Sequence, residues 1–230
     1  MRNMTKRRML LITKSSPSIL PREYREVQWL RGTGTQYCEL SYNPVIYQGR
    51  YANSSIRGSI VVLNRNTSKL AILADDAYGG TVNGHTRYGI KINNGIFNFD
   101  YGFQPDGYEK SINLSDLGTD NINIDFEVNR GSRNNLILNN SSYNGYVEGN
   151  MSAFYPYLIG AYYTGLSTIS VLNENTLIKK VSIYEGDELI SDIIPCYRKS
   201  DGKAGFYETG SGNFIINSGT GSDWLIGPTV

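Results

Sequence analysis

The sequence predicts an all-β protein: an antiparallel β-sandwich entered by an extended N-terminal arm. Three observations carry this expectation. Glycine (25 residues) and tyrosine (18) are abundant, while charged residues make up only 19% of the 230, a balance that favours strands and turns over helices. From Glu23 onward the apolar residues mostly recur with period two, and no window sustains a helical stripe. Short apolar runs are separated at regular spacing by turns rich in Gly, Asn and Asp, as in sandwiches and barrels. The length, without internal repeats, favours a sandwich built as one domain over residues 21–230. A chain of this size buries roughly 70% of its unfolded surface and needs no covalent staple to fold.

Residues 1–20 read as the arm, closed by Pro17 and Pro21. The run Gly58 to Asn64, with Ile60, Val61, Val62 and Leu63, suits a strand buried on both faces. Asn83-Gly84-His85-Thr86 has the composition of a loop. Gly89 to Tyr101 divides into two strands about Asn93-Asn94-Gly95, because Asn-Gly is a strong tight-turn signal. A single helical turn is expected near Ser115-Asp116-Leu117. Asn121 to Asn129 alternates cleanly, with Ile122, Ile124, Phe126 and Val128 on one face and Asn123, Asp125 and Glu127 on the other. Leu177 to Pro195 reads as a hairpin turning through Glu185-Gly186-Asp187.

The net charge of +1 is unevenly placed. Arg2, Lys6, Arg7, Arg8 and Lys14 lie in the arm, which holds no acidic residue; the first is Glu23. Without these five of the 22 basic residues, the rest of the chain holds 17 against 21 acidic ones. A basic arm on a mildly acidic body results, and no basic stripe follows that would let the body bind nucleic acid. The arm reads as an anchor: Arg2, Lys6, Arg7 and Arg8 would meet an acidic partner surface, with Met9, Leu10, Leu11 and Ile12 as the buried apolar plug. That plug is shorter than the about 7–15 residues of a signal-peptide core. No apolar run approaches the about 18 residues of a spanning helix, so no membrane insertion is expected. Cys38 and Cys196 fall in an early and a late strand. Two buried free thiols are the expectation, although such strands can be neighbours and a disulfide stays geometrically open.

Both ends of the body carry motifs that resemble a known module. They are Leu20-Pro21-Arg22-Glu23-Tyr24-Arg25-Glu26-Val27 with Gly32-Thr33-Gly34-Thr35-Gln36-Tyr37, and Ile194-Pro195-Cys196-Tyr197-Arg198-Lys199-Ser200-Asp201-Gly202 with Gly205-Phe206-Tyr207, Asn217-Ser218-Gly219-Thr220-Gly221 and Gly227-Pro228. Together they resemble the concanavalin A-like (laminin G-like) sandwich carried by tailed-phage virion proteins and by prophages of gut bacteria. Where that family usually has an Asn-rich loop, this chain has Tyr157-Leu158-Ile159-Gly160-Ala161-Tyr162-Tyr163-Thr164-Gly165. The resemblance implies a jelly roll and a non-enzymatic virion component, made in the bacterial cytoplasm and displayed on capsid or tail. Other virion proteins would hold the arm, host or mucus glycans would be the ligands, and many copies or a homo-oligomer would be present. A purely structural decoration protein is the alternative, followed by an inactive relative of the glycoside hydrolases. Physically, the motifs supply turn glycines, and if the first and last strands pair they form one patch that closes the fold.

Few residues offer chemistry. Glucanases of the same superfamily carry Glu-x-Asp-x-Glu on a strand, with nucleophile and acid about 5 Å apart. This chain has Asn123-Ile124-Asp125-Phe126-Glu127, and an amide at the first position cannot act as the carboxylate nucleophile. His85 is the single histidine, and no nucleophile-elbow sequence accompanies it. Asp75-Asp76 and Asp116 with Asp120 have oxygen ligands to offer Ca²⁺, but no EF-type spacing supports a site, and no cofactor is expected. The tyrosines are more informative: Tyr143, Tyr146, Tyr155, Tyr162 and Tyr163 crowd one Gly/Asn-rich stretch and are the expected contacts for a glycan or a protein partner.

Overall fold

A computed structural model describes residues 20–42, 54–77, 85–103, 108–129, 135–144, 156–163 and 168–230. The expected anchor residues Arg2, Lys6, Arg7, Arg8, Met9, Leu10, Leu11 and Ile12 lie outside the described residues. In chain order the strands begin with β1 (Tyr24–Glu26), β2 (Leu30–Thr33), β3 (Cys38–Glu39), β4 (Ser54–Asn64), β5 (Lys69–Ala77), β6 (His85–Asn93) and β7 (Ile96–Phe103). Then follow β8 (Tyr108–Asn113), a 3-10 turn at Leu114–Asp116, β9 (Asp120–Asn129), β10 (Asn135–Leu138), β11 (Ser141–Asn144), β12 (Leu158–Ile159) and β13 (Ala161–Tyr163). The last are β14 (Ile169–Val171), β15 (Asn173–Glu185), β16 (Glu188–Arg198), β17 (Ala204–Glu208), β18 (Asn213–Ile216) and β19 (Leu225–Ile226).

The protein is all-β, and its strands pair antiparallel except at Ala161 and Ile72, where β13 runs parallel to β5. One run of paired strands reads β11-β10-β9-β4-β15-β16-β17-β18. A second reads β8-β7-β6-β5, extended by β12 and β13 on the far side of β5. They join where Asn173 and Glu174 at the start of β15 pair with Leu70 and Lys69 of β5. The sheet therefore curls, and the inward residues of the two runs meet.

Alternation decides which residues these are. Ile122, Ile124, Phe126 and Val128 of β9 are buried, and so are Ile56, Ile60 and Val62 of β4. They share one cluster with Ile90 and Ile92 of β6, Phe97 and Phe99 of β7 and Leu70 and Ile72 of β5. At this point Tyr88 crosses from β6 to the other run. Its hydroxyl lies 2.7 Å from the Val128 carbonyl and 3.0 Å from that of Ser54, one proton shared between two acceptors. A tyrosine that is 2% exposed thus keeps its polar tip bonded inside an apolar core.

The turns obey the local chemistry. Asn94 (φ 50°) and Gly95 (φ 77°) both take the left-handed conformation that a two-residue hairpin between β6 and β7 requires. His85 is a correction to the loop reading of its neighbourhood: it opens β6, opposite Ala77 of β5. The Asn-Gly pair before it signals a turn, and pairing with β5 begins at the next residue.

Both terminal motifs meet in one patch. β1 pairs with β16, Tyr24 opposite Arg198 and Glu26 opposite Cys196. The Gln28 N–H donates to the Pro228 carbonyl (2.8 Å), Gly227 to Trp29 (3.0 Å) and Ser218 to Tyr37 (2.8 Å). Leu20, Tyr24, Tyr207 and Phe214 cover Ile194 and Cys196, so β16 is buried on both faces. Both cysteines are free and buried, Cys38 in the main cluster and Cys196 in the satellite. Burial pushes the Cys196 thiol up to about 12 and raises Cys38 as well, with the Glu208 carboxylate adding to the latter.

Tyr88→Phe is expected to cost about 1–2 kcal/mol, read as a fall in Tm of about 2–8 °C; an unchanged Tm would show that the shared hydroxyl contributes nothing. The thiols should resist alkylation at pH 8 until the chain unfolds. Because the native thiols keep protons that the unfolded chain releases above a pKa of about 8.5, stability should decline as pH rises beyond that value, in a denaturation series at increasing pH.

Candidate functional site

The polar faces of β9, β4, β15 and β16 form a grid on the outside of the first run. Across one row stand Asp192, Ser182, Arg57, Glu127 and Ile137, each opposite its neighbour in strand register. The next row holds Lys180, Ser59 and Asp125. Beyond Asp125 the turn residues Asn139 and Asn140 take left-handed φ of 46° and 68°, and the Asn139 side-chain carbonyl accepts the Asp125 N–H at 2.9 Å.

A β-bulge shapes this face. Ile178 is opposite Ile60, but Lys180, not Lys179, is opposite Ser59. The extra residue puts Lys179 and Lys180 between the inward-facing Ile178 and Val181, so both lysines face out. Gly58 makes room beneath. A Cβ there would stand 2.5 Å from the Phe126 ring and 2.9 Å from the Lys180 carbonyl, so the bulge and the ring occupy the space of a side chain.

Between these strands lies an open concavity of about 320 Å³, lined by Arg57, Ser59, Asp125, Glu127, Asn140 and Lys180 among others. Its cations are engaged from within. Arg57 Nη2 is 3.3 Å from Glu127 Oε1, and the guanidinium sits 4.1 Å over the Tyr184 ring. Lys180 Nζ is 3.2 Å from Asp192 Oδ1, which also accepts the Ser182 hydroxyl at 2.5 Å. Lys179 Nζ donates to the Asn123 side-chain carbonyl at 3.1 Å. Asp125 differs: it is exposed, and its carboxylate has no partner among the described residues. The half-exposed Arg57–Glu127 pair contributes little to stability, about 0–1 kcal/mol, whereas Asp192 is buried and keeps both the Ser182 hydroxyl and Lys180 as partners.

No known protein-family model matches this chain, and no curated protein matches it in sequence.

The tyrosines expected as ligand contacts are placed apart. Tyr163 is 6% exposed, packed with Leu158 and Ala161 beside Tyr37 and Ile169. Tyr162 points to the other side of β13, half-buried on Ala71, Leu73 and Leu172, with Lys91 Nζ 6.0 Å from its ring. Tyr143 is half-buried on β11 against the main cluster, with Lys110 Nζ 5.8 Å from its ring. Tyr146 and Tyr155 lie outside the described residues. Among the described residues no group of three His, Cys, Asp or Glu side chains is gathered to hold a metal ion; Asp120 instead accepts the Arg65 N–H at 3.2 Å.

The sequence sets Asp125 and Glu127 apart only as an incomplete glucanase-like pair, not as binding residues, and gives no direct sign of Arg57, Ser59, Asn140, Lys180, Ser182 and Asp192 as their neighbours. One signal was present: Ile178 and Val181 stand three apart with two lysines between, a break in period two that marks a bulge. Gly58→Ala should destabilise the protein by about 1–3 kcal/mol through overpacking against Phe126 and the bulge. An unchanged midpoint in urea would contradict this packing.

Proposed function

We propose that this chain is a non-enzymatic virion component of a tailed phage. In this reading it is a concanavalin A-like jelly-roll sandwich that binds surface glycans on its charged outer face and is held in the particle by residues 1–20. The observation that carries the binding reading is the concavity: its cations are compensated from within, while Asp125, Asn140 and Ser59 remain uncommitted to any described residue. Such a lining offers hydrogen bonds in an open cleft, which suits a hydroxyl-rich ligand. Two runs of strands that share one core support the sandwich, and the meeting of both terminal motifs in one patch fits the module they resemble.

The same face argues against hydrolysis. The Asn123 amide is bound to Lys179 and cannot form a glycosyl-enzyme bond, and the Glu127 carboxylate is engaged by Arg57. Laminarin, lichenan and peptidoglycan should be left intact; turnover that is lost in Asp125→Asn or Glu127→Gln would refute the proposal. One open site should bind in the high-micromolar to millimolar range, about −4 to −6 kcal/mol, so attachment would depend on many copies. On a glycan array, multivalent particles should bind and a silent array would favour the purely structural alternative. Deleting residues 1–18 should leave Tm unchanged and abolish incorporation into particles. Normal assembly of the truncated chain would remove the anchor from the proposal.

A further inference from the structure

We infer that the concavity takes a neutral sugar through adjacent hydroxyl groups, with the Asp125 carboxylate as their acceptor; this rests on the glycan-binding reading above. The charges on this one face decide between neutral and acidic sugars. Unpaired positive charge would favour a uronate or sialate, and the two cations lining the cleft, Arg57 and Lys180, already stand beside the carboxylates of Glu127 and Asp192. Lys179, next along the bulge, is turned to Asn123. An acidic sugar would therefore meet the negative charge of Asp125 beside cations that are already balanced, and like charges brought together disfavour binding.

What the cleft does offer is an acceptor. Neither oxygen of Asp125 is bonded to a described residue, and a carboxylate can receive two hydroxyl hydrogen bonds at once, each stronger than its neutral counterpart. Two neighbouring hydroxyls on a pyranose ring have that spacing. Ser59 stands opposite Asp125 in register, and Asn140 lines the same cleft, so a hydroxyl and an amide flank the acceptor. Ile137 lies opposite Glu127 and gives the C–H face of a ring an apolar ledge. A volume of about 320 Å³ is at the small end for ligand sites, which suits one ring at a time.

The test is a titration of the ¹⁵N-labelled full chain with the methyl glycosides of glucose, galactose and mannose, and in parallel with glucuronate and N-acetylneuraminate. At least one neutral glycoside should move the amide signals of Ser59, Asp125 and Asn140 saturably, and the acidic sugars should not. Asp125→Asn and Asp125→Ala should each weaken binding by roughly tenfold or more, with circular dichroism unchanged because the side chain is exposed. An acidic sugar that binds this face as well as the neutral ones would overturn the inference and leave glycan binding standing. So would neutral binding that ignores both Asp125 substitutions, or shifts that map to Tyr143 or Tyr162. If no sugar moves any signal, the inference and the glycan-binding reading fall together.

Discussion

Strand β15 runs for thirteen residues while its neighbours change along its length. At its start it pairs with β5 and β2, through its middle with β4, and toward its end with β4 and β16 together. A buried strand edge left unpaired would expose a row of orphaned backbone groups to an apolar interior. The two runs of strands are thereby bound to a common backbone, and the curl that brings Tyr88 against Val128 and Ser54 follows from it. The bulge at Lys179 belongs to the same constraint. It keeps Ile178 and Val181 both inward and sends two lysines to the opposite face, so one local irregularity serves core and surface at once.

Much of the fold was legible because period two is a direct image of the pleat. The alternation of Ile122, Ile124, Phe126 and Val128, the turn at Asn94-Gly95 and the hairpin through Glu185-Gly186-Asp187 all stand where the sequence placed them. The meeting of the chain's early and late motifs was legible as a condition, and the pairing of β1 with β16 satisfies it. His85 was misread because turn composition tells where a chain can bend, not where pairing resumes.

The candidate site was legible only in half. Asp125 and Glu127 stand out along one strand, but the partners that define their chemistry come from three other strands and depend on register. Nothing in the vicinity of Arg57 in sequence says that Glu127 will be opposite it. The tyrosines illustrate the converse. Tyr162 and Tyr163 are adjacent in sequence and face opposite sides of a strand, so a cluster in the chain becomes one buried ring and one half-covered one.

The pairing of β1 with β16 also governs when the molecule can finish folding. Tyr24 and its partner Arg198 are separated by most of the chain, and Gln28 and Tyr37 wait on Pro228 and Asn217. On a ribosome that adds about 5–20 residues per second, the early strands stand without their partners for roughly ten to thirty-five seconds. During that interval Leu30, buried in the finished core, has neither β15 nor β19 beside it. Closure is thus a late, long-range event of the kind that makes β-topologies slow. A chain made in many copies would spend that time with its edge strands open to one another.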